Sequence, residues 1–218
     1  MNSADVFKEN HFLYVTNFIK PEVCDLLYHY VKMEAKRLEY LEFIQGLENT
    51  NRDIWGTFKD DQAPGDFSKY GDLIFEALLD SSCEKISNII GVKLNSTYSY
   101  HRLYTTGTEL TRHKDRPSCE ISSTLCLGYD VSNIKEEYNW PMFVGPKTGE
   151  LGTKGKAIYM KPGDMIIYRG CELEHWREPY KGLNHAQVFL HYNEAGGQYD
   201  IMYDNRPMLG LPTQYKKW

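Results

Sequence analysis

From Lys93 onward the sequence breaks into short β-type runs separated by glycine, proline and aspartate, and this pattern leaves few folds open. The runs fall at residues 97–104, 109–115, 121–129, 140–144, 155–160, 164–168, 173–177 and 186–192. Many short strands with regular turn signals predict a sandwich or a barrel, the jelly roll included. Lys161-Pro162-Gly163-Asp164 is the strongest of the turns, because proline and glycine supply the dihedrals of a tight reversal. The 17 tyrosines suit such sheets, since a bulky ring with a polar tip fits both a strand surface and the wall of a cleft.

The chain ahead of these runs reads differently. Phe12-Leu13-Tyr14-Val15 predicts one early strand, and Pro21 sits where a helix can begin, its fixed φ and missing N–H costing little in a first turn. Leu26, Leu27, Tyr30, Val31 and Leu38 then follow a helical spacing, and a second helix is predicted within residues 70–90. Residues 46–65 are polar and read as a surface loop, with a lid as the alternative. Residues 196–218 have no regular pattern. At 218 residues the expectation is a single domain: a helix-rich part over 1–92, a β core over 93–195 and an irregular C-terminal tail, α+β but mainly β.

A net charge of −5 gives no electrostatic footprint for nucleic acid or anionic lipid, so neither is expected as a partner. Five scattered cysteines without a CxxC pair, and an N-terminus without an apolar signal region, lead to the expectation of a cytoplasmic protein. Cys119, Cys126 and Cys171 read as packing residues rather than nucleophiles.

Chemistry concentrates in Thr111-Arg112-His113-Lys114-Asp115-Arg116-Pro117. Side chains two apart on a strand share a face, so His113 and Asp115 project together. One imidazole and one carboxylate are two ligands of a 2-His-1-carboxylate triad, which leaves one face of a metal open. A distal histidine in a matching setting would complete it. His175 follows the apolar run Gly163-Asp164-Met165-Ile166-Ile167-Tyr168 and stands in Glu174-His175-Trp176-Arg177-Glu178-Pro179. The alternative is that both histidines are ordinary strand residues.

The His-x-Asp, the Gly-Asp-x-Ile-Ile-Tyr run and the later His-x-x-x-Pro resemble the 2-oxoglutarate/Fe(II) dioxygenase superfamily, closest to its prolyl-4-hydroxylase-like group. Tyr104 and Gly107, ahead of His113, are similar to that group's lead-in to the first ligand. The resemblance implies a double-stranded β-helix (jelly roll) core with flanking N-terminal helices. It also implies Fe(II) held by His113, Asp115 and His175, with 2-oxoglutarate and O₂ as co-substrates and ascorbate as a candidate reductant. The reaction implied is hydroxylation of a prolyl or other amino-acid, peptide or protein substrate, releasing succinate and CO₂. Related halogenases lack the carboxylate, so Asp115 favours hydroxylation. A zinc hydrolase would use the same ligand types, but no separate general base is evident.

One family feature is missing. The Arg or Lys that grips the distal carboxylate of 2-oxoglutarate stands about ten residues after the distal histidine, and this sequence has His185 there. The expectation is that His185 takes the role, aided by Gln187, Tyr104 or Tyr129, with His191 as a supporting histidine and Arg102 or Arg177 as alternative donors. On the substrate side, Arg116, Trp140 and Arg177 are candidates, although Arg116 could equally form a structural pair with Glu120. Two further readings stay open: a catalytically inactive metal-binding or sensing β-barrel, and an oxidative demethylase, the latter disfavoured by the acidic balance.

Overall fold

Asn2 caps the first helix by accepting from the N–H of Asp5 at 2.9 Å, and the computed structural model continues from there in short, well-delimited elements. It describes residues 2–46, 51–147 and 153–217; residues 47–50 of the expected 46–65 loop, Asn49 among them, and Trp218 of the tail lie outside these. Helix α1 (Ser3–Asn10) is followed by strand β1 (Phe12–Val15), and α2 (Pro21–Glu39) has its proline in the first turn as expected and runs on into a π-helical turn at Tyr40–Ile44. A short helix α3 (Arg52–Trp55) interrupts the expected loop. Strand β2 (Phe67–Tyr70) precedes α4 (Leu73–Ile90), so Tyr70 belongs to a strand and not to the helix predicted over 70–90. The helix starts where Asp72 accepts from the N–H of Ile74 and stops at Gly91, whose φ of 70° few other residues tolerate.

Eight strands follow: β3 (Leu94–Thr105), β4 (Leu110–His113), β5 (Ile121–Asp130), β6 (Met142–Val144), β7 (Lys156–Ile158), β8 (Met165–Arg169), β9 (His175–Arg177) and β10 (Asn184–Glu194). They form two antiparallel sheets, one in the order β1-β8-β5-β10-β3-β2 and one in the order β4-β9-β6-β7, the jelly roll. Among the described residues no helix is long and apolar enough to cross a membrane.

Alternation along the central strands fixes what faces where. Ile121, Leu125 and Leu127 of β5 and Val188, Leu190 and Tyr192 of β10 join Leu27, Val31 and Leu38 of α2 and Phe75, Leu79 and Ile86 of α4 in one apolar core. The intervening residues therefore turn away from the helices and towards the second sheet. On β5 these are Ser122, Thr124 and Cys126; on β10 they are His185, Gln187, Phe189 and His191. A polar or aromatic residue at these positions serves the interior of the barrel.

Candidate metal centre

Strands β4 and β9 pair with His113 opposite His175, so the two imidazoles meet across the ladder with ring centroids 4.2 Å apart. Asp115 was expected on the same strand as His113. Instead β4 ends at His113, and the Asp115 N–H donates to the carbonyl of Gly170 at 2.9 Å. Pro117, two residues on, has no N–H to continue a ladder. Released from the strand, the carboxylate turns inward: its Oδ1 lies 3.8 Å from His113 Nε2 and 3.4 Å from His175 Nε2. One ligating atom from each of the three side chains falls within 4.8 Å of the others, a grouping able to hold a metal ion.

The outer atoms of these side chains are also held. His113 Nδ1 lies 2.8 Å from the carbonyl of Thr111, and His175 Nδ1 lies 3.1 Å from that of Leu173. A carbonyl only accepts, so both Nδ1 atoms carry a proton and both Nε2 atoms are turned towards Asp115. Asp115 Oδ2 accepts from Ser122 Oγ at 2.7 Å. With the Ser122 hydrogen so directed, His191 Nδ1 donates to Ser122 Oγ at 2.9 Å, which makes His191 a support of the carboxylate.

Electrostatics follow from this packing. Burial alone would raise the Asp115 pKa, but the charge and hydrogen bond of His175 hold it well below the usual carboxylate range. Burial likewise pushes His175 down, yet Asp115 outweighs it and leaves this imidazole above its ordinary value. His113 is lowered, by burial and then by its neighbour His175. Burial takes His191 down to about 4, so it stays neutral at physiological pH.

Gly170 makes the position of Asp115 possible. A Cβ at this residue would overlap both Asp115 Oδ2 and the carbonyl of Cys119. Gly170→Ala therefore has to push the carboxylate away from the two imidazoles. We expect it to weaken metal binding by about 10- to 100-fold, the range for a displaced supporting group. Metal titration beside a thermal unfolding curve checks this; unchanged metal affinity in a folded variant would refute it.

The three side chains open onto a cavity of about 420 Å³, lined also by the buried Met142, Tyr168, Arg177 and His191 and by Phe189. Arg177 is buried and donates from Nη1 to the carbonyl of Trp140 at 2.9 Å, with its guanidinium 4.5 Å from the Trp140 ring. Its Nη2 has no hydrogen-bond partner, and no carboxylate pairs with it among the described residues. Gln187 lies opposite Arg102 of β3, and Thr124 lies opposite Phe189; Arg102 and Phe189 both line the cavity. Gln187 Oε1 and Nε2 and Thr124 Oγ1 are buried and unpartnered too.

His185 is positioned otherwise than expected. It does not line the cavity: it is stacked on Tyr129 at 5.4 Å and flanked by Trp140 and Tyr180. Burial, then the nearby charge of Arg177, pushes its pKa well below 6.5, which disfavours the imidazolium expected to grip a carboxylate. Tyr129 also stands outside the cavity wall, and Tyr104 and Trp140 are buried behind Arg177 and Arg102, with the Trp140 indole N–H donating to the carbonyl of Glu178 at 2.6 Å.

Arg116 lines the cavity, but its partner is Asp204 of the tail and not Glu120. Nη1 and Nη2 donate to the two Asp204 oxygens at 2.8 and 2.9 Å. Tyr70 and Lys216 also donate to this carboxylate. Burial opposes the Asp204 charge, and Arg116 holds its pKa well below the usual range. Tyr203, Asp204 and Asn205 all have positive φ, a conformation costing roughly 1–2 kcal/mol per residue that the paired guanidinium offsets. Nothing in the sequence marks this contact, which joins residues 88 positions apart.

No protein-family model matches the chain, and no curated protein matches it in sequence. Solved structures do resemble it. A prolyl-4-hydroxylase from Pseudomonas putida superimposes with a TM-score of 0.61 over 88% of this chain and 97% of its own, at 13% identity. HygX from Streptomyces hygroscopicus, with nickel and 2-oxoglutarate bound, gives 0.57 over 89% and 87% at 10% identity. The viral collagen prolyl hydroxylase of Paramecium Bursaria Chlorella virus-1, in its 2-oxoglutarate complex, gives 0.55 over 86% and 98% at 13% identity. At these identities the likeness establishes the fold, which this chain has in common with 2-oxoglutarate/Fe(II) oxygenase structures.

Proposed function

We propose that this chain is a non-haem Fe(II), 2-oxoglutarate-dependent oxygenase that hydroxylates an amino-acid or peptidyl substrate, a prolyl group being the first candidate. The observation that carries the reading is Arg177, a buried guanidinium with no anionic partner among the described residues, in the wall of the same cavity as His113, Asp115 and His175. An unpaired charge in a protein interior is strongly unfavourable, and a carboxylate is the group that relieves it.

The residues fit both groups. Two imidazole nitrogens and one carboxylate oxygen suit Fe(II) and leave room for a co-substrate. Arg177 would take the distal carboxylate of 2-oxoglutarate through its unpartnered Nη2. This assigns to Arg177 the role first expected of His185. When bound, the iron with 2-oxoglutarate and O₂ supplies the oxidising chemistry, with succinate and CO₂ as by-products. The protein orients: Ser122 and His191 steady Asp115, the carbonyls of Thr111 and Leu173 fix the two ring tautomers, and Tyr168, Met142 and Phe189 keep water from the cavity.

The test is incubation with Fe(II), ascorbate and 2-oxoglutarate, following succinate, together with the anaerobic optical spectrum of the Fe(II)–2-oxoglutarate complex. Succinate and a charge-transfer band are expected. A protein that binds stoichiometric iron but gives neither would be a metal-binding barrel and not an oxygenase.

Metal binding should also depend on pH with a definite sign. The His175 pKa is raised above its ordinary value of about 6.5. Its protonated form thus stabilises the metal-free fold at pH below the unfolded value, and that stabilisation is lost as pH rises through the raised value. A metal must displace this proton, so affinity falls about tenfold per pH unit below that point and levels off above it. Calorimetry at pH 6 in buffers of different ionisation enthalpy should register about one proton released per metal. Affinity that stays level from pH 8 down to pH 5 would contradict the assignment of His175.

A further inference from the structure

We infer that the primary substrate carries an anionic group, a carboxylate or a phosphate, which docks against Lys114 and Arg52 at the mouth of the cavity. The inference rests on the oxygenase reading above and narrows its substrate.

Among the described residues, the cavity walls hold the cationic side chains Arg52, Arg102, Lys114, Arg116 and Arg177 but two carboxylates, Asp60 and Asp115. That excess is opposite in sign to the chain as a whole, whose net charge is −5. Most of these charges are matched. Asp60 accepts from Arg102 at 2.9 Å, and Asp204 holds Arg116 through both oxygens. Asp115 belongs to the metal centre, and Arg177 is assigned to the co-substrate.

Lys114 and Arg52 are what remains. Both line the cavity and both are exposed, which sets them at its rim, and neither has an ion-pair partner among the described residues. They come from opposite parts of the chain: Arg52 opens α3, and Lys114 stands between two of the proposed ligands. Charges of one sign around a concave, low-dielectric opening reinforce one another and draw in a ligand of the other sign. Because Lys114 is adjacent in sequence to His113 and Asp115, an anion on its ammonium brings the remainder of the substrate beside the metal centre.

The cavity wall is also rich in aromatic rings. Tyr70, Tyr98, Tyr100 and Phe189 line it, and Tyr70 and Tyr98 are stacked at 4.8 Å. Rings of this kind take an apolar body while the rim fixes its charged end. A free amino acid, the last residue of a peptide and a phosphate ester all have that form. A prolyl residue inside a peptide chain does not, so the inference favours a small molecule or a chain terminus.

The test uses the full chain loaded with Mn(II) and 2-oxoglutarate without oxygen, where no turnover occurs. The paramagnetic ion accelerates nuclear relaxation of any molecule held near it. Propanoate and inorganic phosphate are the probes, propanamide is the neutral control, and the comparison is with the Lys114→Glu/Arg52→Glu double variant. At least one anion should show relaxation enhanced about tenfold over propanamide, the margin of a charge-assisted contact over a neutral one. The double variant should lose that excess while the protons of 2-oxoglutarate stay enhanced, which also shows the variant to be folded. Which anion gains more separates a carboxylate substrate from a phosphate. Neither anion exceeding propanamide, or an excess that survives charge reversal, overturns the inference. Absence of enhancement for 2-oxoglutarate itself in the parent protein would instead overturn the oxygenase reading.

Discussion

Asp115→Ala is expected to leave the chain folded but unable to retain iron. The residue is the one carboxylate among the three converging side chains, and its Oδ1 faces both imidazole Nε2 atoms. Displacing a group that merely supports a ligand costs about 10- to 100-fold in metal affinity, so losing the ligand outright should exceed about 100-fold. Succinate formation should fall with it. A second effect separates a ligand from a structural residue. Without Asp115 only the hydrogen bond to the Leu173 carbonyl opposes the burial of His175, whose pKa should then drop below its ordinary value instead of standing above it. NMR titration of that imidazole in the metal-free variant reads the change directly. Asp115→Glu, which keeps the charge with a longer reach, should recover part of the metal binding. Full iron retention by the alanine variant would remove Asp115 from the site.

The strands around this centre were legible because periodicity is a local property. Phe12–Val15 is a strand as read, and the eight later runs each overlap a strand whose ends differ from the expectation by at most a few residues. Helix α1 was not read, and the reason is physical. It has eight residues and buries only Phe7, so no apolar stripe repeats along it. Strand β2 is shorter still and follows the polar 46–65 segment, and its place is decided by pairing with β3 rather than by its own pattern. Asp115 left its expected strand because register and the nearby Pro117, not alternation alone, decide where a ladder ends.

The convergence of the three candidate ligands was legible in the sequence, and the surroundings of His185 were not, for similar reasons. His113, Asp115 and His175 belong to a spacing pattern that a sequence displays. Whether His185 or Arg177 reaches the cavity depends on how two sheets close over each other, which neither strand encodes alone. Alternation correctly put His185 on the inward face of β10, but Trp140, Tyr129 and Tyr180 fill the space around it. Arg177 occupies a three-residue strand, where periodicity carries almost no signal. Ser122 and Thr124 could have been found by the same alternation, since a hydroxyl turned into a barrel interior has to bond something. The Arg116–Asp204 pair had no local signature at all.

Arg177→Met should therefore produce two effects of opposite sign. 2-Oxoglutarate binding is expected to weaken by about 10- to 100-fold, since a charged hydrogen bond contributes about 1.5–3 kcal/mol and each 1.4 kcal/mol is a factor of ten. The ligand-free variant, by contrast, should be at least as heat-stable as the parent. In the parent, a buried guanidinium donates to the Trp140 carbonyl and lies against its ring, and Nη2 has no hydrogen-bond partner among the described residues. Methionine fills similar space without that desolvation, which offsets the lost bond to Trp140. Ligand at about a hundred times its dissociation constant stabilises a protein by about 2.7 kcal/mol, so 2-oxoglutarate should raise the parent's melting temperature and barely move the variant's at the same concentration. Metal content should not change, because no atom of Arg177 bonds to His113, Asp115 or His175, and this distinguishes the variant from Asp115→Ala. Arg177→Lys keeps the charge but loses the planar fork, and should bind 2-oxoglutarate with intermediate affinity. If the methionine variant bound 2-oxoglutarate as the parent does, the anion in the cavity would have to be held by other groups. If it were instead markedly less stable without ligand, Arg177 would be a structural residue whose charge the fold has learned to tolerate.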